Sequence, residues 1–222
     1  MLPSKARPAL PLVVLVSGQG SNLQAILDRK DAIGVDVRAV ISDRAEAPAL
    51  ARALKAGVPV EVVAPGDHLG GEAYDRALAA AIDKHSPGLM VLAGFMRILG
   101  GDLVRRYHGR MLNIHPSLLP KYRGLHTHRR ALEAKEPVHG CSVHFVIEEL
   151  DSGAVVAQAE VPVKPKDTEA TLRIRVQARE HALYPEVIGW YASGRLRLND
   201  GRVLLDGAPL TEPKMFPWQE EG

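Results

Sequence analysis

Short apolar runs alternate with segments of helical periodicity over the first half of the chain. The runs predict five strands, which are Leu12–Ser17, Val35–Ser42, Val58–Val63, Leu89–Ala93 and Arg110–Ile114. Between them, apolar residues recur at helical spacing over Asn22–Ile33, Ala47–Ala56 and Glu72–His85. Strands that alternate with helices in this way are typical of βαβ units and a parallel sheet. We therefore predict an α/β fold, a single domain whose mostly parallel, twisted sheet has helices on both faces.

The pattern changes after about residue 138. It predicts two strands joined by a turn, then a long helix and then a hairpin, which are Cys141–Val146, Ala154–Val163, Thr168–Tyr191, and Leu196–Leu198 with Arg202–Leu205. The stretch that follows is polar and contains prolines. We expect residues 1–206 to form the domain, with its first strand from about residue 12, and residues 207–222 to form a peripheral C-terminal tail.

The composition limits the partners and the compartment. Lys and Arg total 28 against 26 Asp and Glu, and the formal net charge of +2 is too small to indicate a nucleic-acid-binding protein. The single cysteine, Cys141, excludes an intrachain disulfide and suits a reducing cytoplasm. No apolar stretch approaches the roughly 18 residues of a membrane span. We expect a cytoplasmic protein that binds neither nucleic acid nor membranes.

The N-terminal segment imitates a short signal peptide, because Lys5 and Arg7 precede the apolar run Ala9–Val16. The run contains Pro11, however, and it ends in a glycine-rich loop that offers no A-x-A-like cleavage site. We therefore interpret the run as a buried first strand that leads into a loop.

That loop, Ser17-Gly18-Gln19-Gly20-Ser21-Asn22, follows the first strand and opens the first helix. Backbone amides at a helix N-terminus attract anions, and glycine lets a phosphate approach closely. Ser21 and Asn22 could add side-chain donors, or could simply cap the helix at a tight turn. The loop is neither a Walker loop nor a full G-x-G-x-x-G motif. It favours a sugar phosphate over a dinucleotide, for whose ribose Asp43 is only a weak candidate ligand.

Polar residues end the fifth predicted strand. Alternation along the strand places Asn113 and His115 on one face, and Pro116 then forces the chain out of the strand. An amide donor and an imidazole that converge on one point can stabilise an oxyanion and move a proton. Asp151, in the turn between the two later strands, could orient the His115 ring and favour its imidazolium form. The alternative is a polar strand end with ordinary hydrogen bonds.

The remaining histidines and the cysteine carry weaker signals. His126 and His128 have no cysteine or carboxylate at supporting spacing, so we expect no metal site there. His139 and His144 lie around a predicted strand, and we expect them to be structural. Cys141 lies in the same strand, and we expect it to be buried rather than nucleophilic.

Three features together resemble the folate-dependent phosphoribosylglycinamide formyltransferase family: the glycine-rich loop, the Asn-x-His-Pro-Ser-Leu-Leu-Pro stretch and the downstream Asp151. Further matching segments are Leu92–Leu99, Lys121–His128, His139–Val146 and Gln177–His181. The resemblance runs from about residue 12 to about residue 206 in consistent order and spacing. It implies a Rossmann-like formyltransferase fold. It also implies transfer of a formyl group from 10-formyltetrahydrofolate to the amine of glycinamide ribonucleotide in de novo purine biosynthesis.

The resemblance implies roles for individual residues. The residues implied to bind the ribonucleotide are Gly20, Ser21 and Asn22 at its phosphate and Glu180 near its ribose. Those implied to line the folate site are Met96, Arg97, Ile98, Leu99 and Asn113, with Arg97 near the glutamate tail. The implied catalytic residues are Asn113, His115 and Asp151. Some members have an arginine in the folate site where this chain has Gly71, so that contact must be absent or replaced here.

Other functions stay open at this point. A formyltetrahydrofolate hydrolase would use the same three catalytic residues on water, although relatives of that kind usually carry an extra N-terminal regulatory domain. A tRNA formyltransferase is expected to carry a C-terminal RNA-binding domain. A non-catalytic nucleotide-binding module would not need Asn113, His115 and Asp151 together. The expected partners are small-molecule substrates, and the sequence leaves formation of a homodimer open.

Overall fold

The computed structural model describes residues 8–218, so residues 1–7 and 219–222 of the expected domain and tail lie outside the described part of the chain. The strands are β1 (Leu10–Val16), β2 (Val35–Ser42), β3 (Val60–Val62), β4 (Leu89–Leu92), β5 (Met111–His115), β6 (Val138–Phe145), β7 (Val155–Pro162), β8 (Leu196–Asn199), β9 (Arg202–Leu205), β10 (Ala208–Pro209) and β11 (Lys214–Phe216). The helices are α1 (Ser21–Arg29), α2 (Pro48–Lys55), α3 (Gly71–Asp83), α4 (Gly101–Arg106), α5 (Thr127–Glu133) and α6 (Glu169–Ala192).

Eight strands form one central sheet in the order β11-β7-β6-β5-β4-β1-β2-β3. The strands β1 to β5 run parallel to one another. The next two strands, β6 and β7, are antiparallel, and β11 pairs in parallel with the outer edge of β7. The remaining strands, β8 to β10, form a separate small sheet. The mostly parallel α/β sheet predicted from the sequence is confirmed.

Both faces of the sheet are covered, which explains why β1 is an almost continuous apolar run. Leu12 and Val14 pack with α1, α2 and α6 on one face. Val13 and Leu15 pack with α3 and α4 on the opposite face. No helix within residues 8–218 is long and apolar enough to cross a membrane.

Most predicted elements are present, and their ends differ from the prediction by a few residues. The third strand is shorter than expected, at Val60–Val62, and the sixth begins earlier, at Val138. The long C-terminal helix is capped by Thr168, whose side chain accepts a hydrogen bond from the Thr171 amide. Three short elements, α4, β10 and β11, are too brief to show a periodicity in the sequence.

The C-terminal stretch contributes more to the fold than its composition suggested. Its strand β11 extends the central sheet, and Arg179 donates hydrogen bonds to the carbonyls of Phe216 and Pro217 at 2.8 and 3.1 Å. The Phe216 ring also stacks on Trp190 of α6, with 6.2 Å between the ring centroids. Backbone pairing and one arginine therefore hold a segment that has no amphipathic pattern of its own.

Candidate active site

The two loops expected to bind substrates lie side by side at the carboxyl edge of the sheet. The strands β1, β4 and β5 are neighbours, so the segments that follow them meet at this edge. Ser17, after β1, donates its backbone amide to the Gly94 carbonyl at 3.2 Å, and its side-chain oxygen accepts from the Met96 amide at 2.8 Å. The glycine-rich loop and the segment after β4 are thus held together.

A cavity of about 690 Å³ opens beside the segment after β4. Its lining includes four sequence-predicted folate residues, Met96, Arg97, Ile98 and Leu99, and the three predicted catalytic residues, Asn113, His115 and Asp151. The volume is typical of a small-molecule site. Gly71 begins α3 and is not among the residues that line this cavity, so position 71 adds no side chain to it.

His115 and Asp151 form a buried pair in the cavity wall. The His115 Nδ1 atom lies 3.3 Å from Asp151 Oδ2, and both side chains are less than one tenth exposed. The same Oδ2 atom accepts a hydrogen bond from the Gly124 amide at 2.9 Å. On the other side of the ring, His115 Nε2 lies 3.0 Å from the Tyr122 carbonyl. Both ring nitrogens therefore face hydrogen-bond acceptors, a carboxylate at Nδ1 and a backbone carbonyl at Nε2.

Asn113 is oriented by His144, a residue that we expected to be only structural. The two residues are directly opposed on β5 and β6, and Asn113 Nδ2 lies 3.1 Å from His144 Nε2. His144 Nδ1 lies 2.9 Å from the Phe145 carbonyl, which fixes Nδ1 as the protonated nitrogen and Nε2 as the acceptor. Burial lowers the pKa of His144 to about 4, so the ring is neutral. The second N–H of Asn113 remains for a ligand in the cavity.

An amide N–H and an imidazole ring paired with a carboxylate, placed in one wall, suit a reaction in which negative charge develops on a carbonyl oxygen. Cys141 cannot serve as a nucleophile here, because it is buried against the opposite face of the sheet. Burial also raises the pKa of its thiol well above the usual range. Within the described residues, no group of three or more His, Cys, Asp or Glu side chains is arranged to hold a metal ion.

The glycine-rich loop ends in a helix N-terminus that has free backbone donors. Gly20 occupies the N-cap position with φ 73°, and the first helical hydrogen bond runs from the Gln24 amide to the Gly20 carbonyl. The amides of Ser21 and Asn22 precede that bond, and no side chain in the described part of the chain caps this helix. The capping role considered for Ser21 and Asn22 is therefore not what the structure shows, and the loop retains its anion-binding character.

Asn22 and Glu180 meet below this loop. Asn22 Nδ2 donates to Glu180 Oε2 at 2.8 Å, and the Oδ1 atom of Asn22 is buried without a hydrogen-bond partner in the described structure. Burial raises the pKa of Glu180 to about 7, against the lowering effect of the Asn22 hydrogen bond. The pair therefore presents an unused acceptor and a carboxyl group beside the free amides, which suits hydroxyl groups next to a phosphate.

Two more histidines form a buried pair that joins α5 to the end of β5. His139 Nε2 lies 3.2 Å from His128 Nδ1, and His139 also bonds the Pro116 carbonyl. Burial lowers the pKa of His139 to about 4, and burial lowers the pKa of His128 as well. Both rings are consequently neutral near pH 7, and they support the segment that leads away from His115.

The free energy of unfolding should fall as the pH is lowered from about 6.5 to 4. Unfolded histidines gain protons in this range while His139 and His144 stay neutral in the native state, so each of these two removes up to about 1.4 kcal/mol per pH unit. The lowered pKa of His128 acts in the same direction. Glu180 partly offsets this, because its raised pKa favours the native state below pH 7. Urea unfolding at a series of pH values measures the slope. His139→Gln should make it shallower, and an unchanged slope would contradict the assignment.

Comparison with known proteins agrees with this geometry. The model of a family described as formyl transferase matches residues 10–188. The phosphoribosylglycinamide formyltransferase of Escherichia coli (strain K12) is 53% identical over 201 residues, which cover 90% of this chain and 95% of that protein. The solved structure of a phosphoribosylglycinamide formyltransferase from Coxiella burnetii, in complex with CHES, superposes with a TM-score of 0.91 and 48% identity over 94% of this chain and 100% of that chain. A formyltetrahydrofolate deformylase from Pseudomonas putida KT2440 is more distant, with a TM-score of 0.79 and 25% identity over 89% of this chain and 70% of that chain.

Proposed function

Because the chain belongs to the formyl transferase family, we propose that it transfers the formyl group of 10-formyltetrahydrofolate to the amine of glycinamide ribonucleotide, a step of de novo purine biosynthesis. The observation that carries the proposal is the single cavity wall in which Asn113, His115 and Asp151 lie beside the predicted folate residues. This wall has the hydrogen-bond donors that acyl transfer needs.

The reaction begins when the glycinamide amine attacks the formyl carbon, so the formyl oxygen becomes an oxyanion. The free N–H of Asn113 and the His115 imidazolium stabilise this oxyanion, and the Asp151 carboxylate supports the charged ring. The bond from the formyl carbon to the folate nitrogen then breaks, and a proton reaches that nitrogen from His115 or through a water. The amine loses its proton in the same sequence, which leaves the formylated ribonucleotide and tetrahydrofolate.

The two substrates approach from different sides of the edge. The amides of Ser21 and Asn22 take the ribonucleotide phosphate, and Glu180 lies near its ribose. The folate lies in the cavity, with its pterin against the backbone of the segment 96–99. Since Ser17 and Met96 bind the two loops to each other, the reacting groups are brought together at the end of β5.

The decisive experiment follows loss of the formyl group from 10-formyltetrahydrofolate with and without glycinamide ribonucleotide. A transferase consumes the formyl donor only when the acceptor is present and makes one formylated ribonucleotide for each tetrahydrofolate. Rapid loss without the acceptor would instead favour the hydrolase, the alternative to which the deformylase likeness points. His115→Asn protein, purified in the same way, serves as the control for contaminating activity.

Gly20→Val should raise the KM for the ribonucleotide about 10-fold or more, equivalent to losing one hydrogen bond to a charged group. The expected cause is a clash inside the protein, and not a clash between the new side chain and the phosphate. A Cβ atom at Gly20 would lie 2.7 Å from Ala49 Cβ and 2.8 Å from Ala49 Cα, and the φ of +73° disfavours any side chain. The loop must therefore shift away from α2, and its amides move with it. Initial rates with each substrate varied measure the effect.

Gly57→Val provides the matched control for that substitution. Gly57 also has a positive φ, +72°, but among residues 8–218 no atom beyond its chain neighbours lies within 4 Å of the Cβ position. It should lower thermal stability and leave both KM values unchanged. If Gly57→Val and Gly20→Val altered the ribonucleotide KM equally, backbone strain alone would explain the result and the phosphate assignment would fail.

Arg97→Ala should raise the KM for folate roughly 5- to 30-fold, or about 1–2 kcal/mol, with little change in the ribonucleotide KM. The guanidinium lies 5.0 Å from the centre of the Tyr74 ring, and no group in the described part of the chain accepts a hydrogen bond from it. Its N–H donors are thus held in place and free to bind the carboxylates of the glutamate tail. Arg38→Ala, an exposed arginine on β2 paired with Asp36, is the control. An equal increase in the KM for both substrates would contradict a role of Arg97 in binding the glutamate tail of folate.

Assembly and compartment remain predictions. A purine biosynthetic step of this kind suits the cytoplasm, where fractionation of tagged protein would locate the enzyme. Analytical ultracentrifugation over a range of protein concentrations would distinguish a monomer from a homodimer.

A further inference from the structure

A row of buried polar side chains crosses the sheet beside His115, and the mechanism above does not use it. His115 of β5 is directly opposed to Ser142 of β6, and Ser142 is directly opposed to Gln158 of β7. Directly opposed residues on antiparallel strands point to the same face of a sheet. Ser142 is 0% and Gln158 8% exposed, so each must find hydrogen-bond partners inside the protein.

Both side chains bond the segment that follows β5. The Ser142 hydroxyl oxygen accepts from the Leu119 amide at 3.0 Å and from Gln158 Nε2 at 2.8 Å. Because two donors already point at this oxygen, its own proton goes to the Ser117 carbonyl, 2.6 Å away. Gln158 Nε2 also donates to the Leu119 carbonyl at 2.8 Å. Gln158 therefore bonds the segment directly and also fixes the direction of the Ser142 hydroxyl.

The hydrogen bonds continue to the catalytic ring. The Ser117 hydroxyl donates to the Lys121 carbonyl at 2.6 Å, which holds the peptide before Tyr122. The Tyr122 carbonyl in turn accepts from His115 Nε2 at 3.0 Å. Tyr122 has a φ of 57°, a left-handed conformation that a tyrosine keeps only where its surroundings impose it. The carbonyl that holds the His115 ring thus depends on the bonds that fix residues 117–121.

We propose that Gln158 is a positioning residue for His115. Through Ser142 and the backbone of Leu119, Gln158 holds the Tyr122 carbonyl at the place where it accepts the Nε2 proton. The ring then keeps its Nδ1 atom beside Asp151 and its edge toward the cavity. The inference rests on the catalytic role proposed for His115, and it adds a residue two strands away from the reacting groups.

The test compares two substitutions at this position with one elsewhere on the same strand. Gln158→Leu keeps most of the volume but removes both donated hydrogen bonds. Gln158→Glu keeps the shape, and its carboxylate cannot donate to Leu119. Val161→Ala is the matched control, since Val161 is likewise a buried residue of β7 but lies outside the polar row. The melting temperature of each variant is measured first, so that all variants are compared at a temperature at which they are folded.

Two measurements are made on each variant. Steady-state kinetics should show kcat lowered about 10- to 100-fold by either Gln158 substitution, with both KM values close to those of the wild type. NMR of protein labelled with ¹⁵N-histidine should show the His115 Nε2 proton, assigned by its absence in His115→Asn, as a slowly exchanging resonance. That resonance should be lost or broadened in both Gln158 variants and retained in Val161→Ala.

The outcomes separate this inference from the proposed function. Loss of the resonance together with the fall in kcat supports both. A retained resonance overturns the positioning role, whether or not kcat falls, because Gln158 then acts otherwise. A lost resonance with wild-type kcat would show that the His115 ring can move without changing the rate of the reaction. That outcome would contradict both the catalytic role of His115 and the positioning role of Gln158. If Val161→Ala lowered kcat as much as Gln158→Leu, general destabilisation would explain the fall in kcat, and the positioning role of Gln158 would be contradicted.

Discussion

Asp151→Asn is expected to lower kcat at least about 100-fold, with little change in ribonucleotide affinity. The substitution can keep the local geometry, because both short contacts of the carboxylate, to His115 Nδ1 and to the Gly124 amide, use the same Oδ2 atom. The other oxygen, Oδ1, lies 3.7 Å from His144 Nε2, and the amide nitrogen of the variant can take its place. What disappears is the negative charge beside the His115 ring. The oxyanion then loses the support of a His115 ring that is paired with a carboxylate.

Single-turnover rates measured across a range of pH check this directly. In the variant, the rate should stay low across the whole range, because no carboxylate lies beside the His115 ring at any pH. Glu149→Gln is the matched control, because Glu149 lies two residues away in the same turn but is exposed and paired with Arg123. Wild-type rates in Asp151→Asn across this range would mean that Asp151 is only a turn residue. His115 would then need another partner.

Asn113→Asp should lower kcat by about 10²–10³ or more. The change removes the N–H directed at the cavity and replaces it with a carboxylate that repels the developing oxyanion. It also removes the hydrogen bond to His144 Nε2, which is an acceptor and cannot donate to the new oxygen. The substitution weakens stabilisation of the charged transition state far more than it weakens substrate binding. The decrease should therefore appear in kcat, with the KM for the ribonucleotide unchanged.

Binding measured by calorimetry would show whether the Asn113→Asp site remains intact. Asn199→Asp, the same substitution at an exposed position in the β8–β9 hairpin, controls for the added charge. Because Asn113 and Asp151 act on one oxyanion, the loss in the double variant should be smaller than the product of the single losses. Strictly multiplicative losses would mean that the two residues act on different steps.

The sequence predicted the sheet and the strand-end pair well, since both depend on local periodicity. An apolar run that is buried on both faces identifies β1, and alternation alone places Asn113 and His115 on one face. The pairing of Asn113 with His144 could not be predicted in the same way. A long connection separates the end of β5 at His115 from the start of β6 at Val138, so no tight turn fixes their register.

The supporting residues were missed for a related reason. Ser142 and Gln158 reach the catalytic ring only through the segment 117–122, mostly through its backbone groups, and backbone positions leave no trace in residue types. The contact of Asp151 with His115 likewise depends on where a turn between β6 and β7 lies relative to β5. The family resemblance supplied that contact, whereas periodicity could not. The strand at Lys214–Phe216 was missed because three residues carry no alternation to detect.

The late position of β11 in the chain has a consequence for synthesis on the ribosome. β7 ends at Pro162, but the strand that covers its outer edge begins only at Lys214. At roughly 5–20 residues per second, the ribosome needs several seconds to add that interval. During this time β7 is the open edge of a nascent sheet, which can pair with another chain. The yield of folded enzyme should therefore be higher when nascent chains meet one another rarely. Truncation before residue 214 should favour inclusion bodies over soluble enzyme.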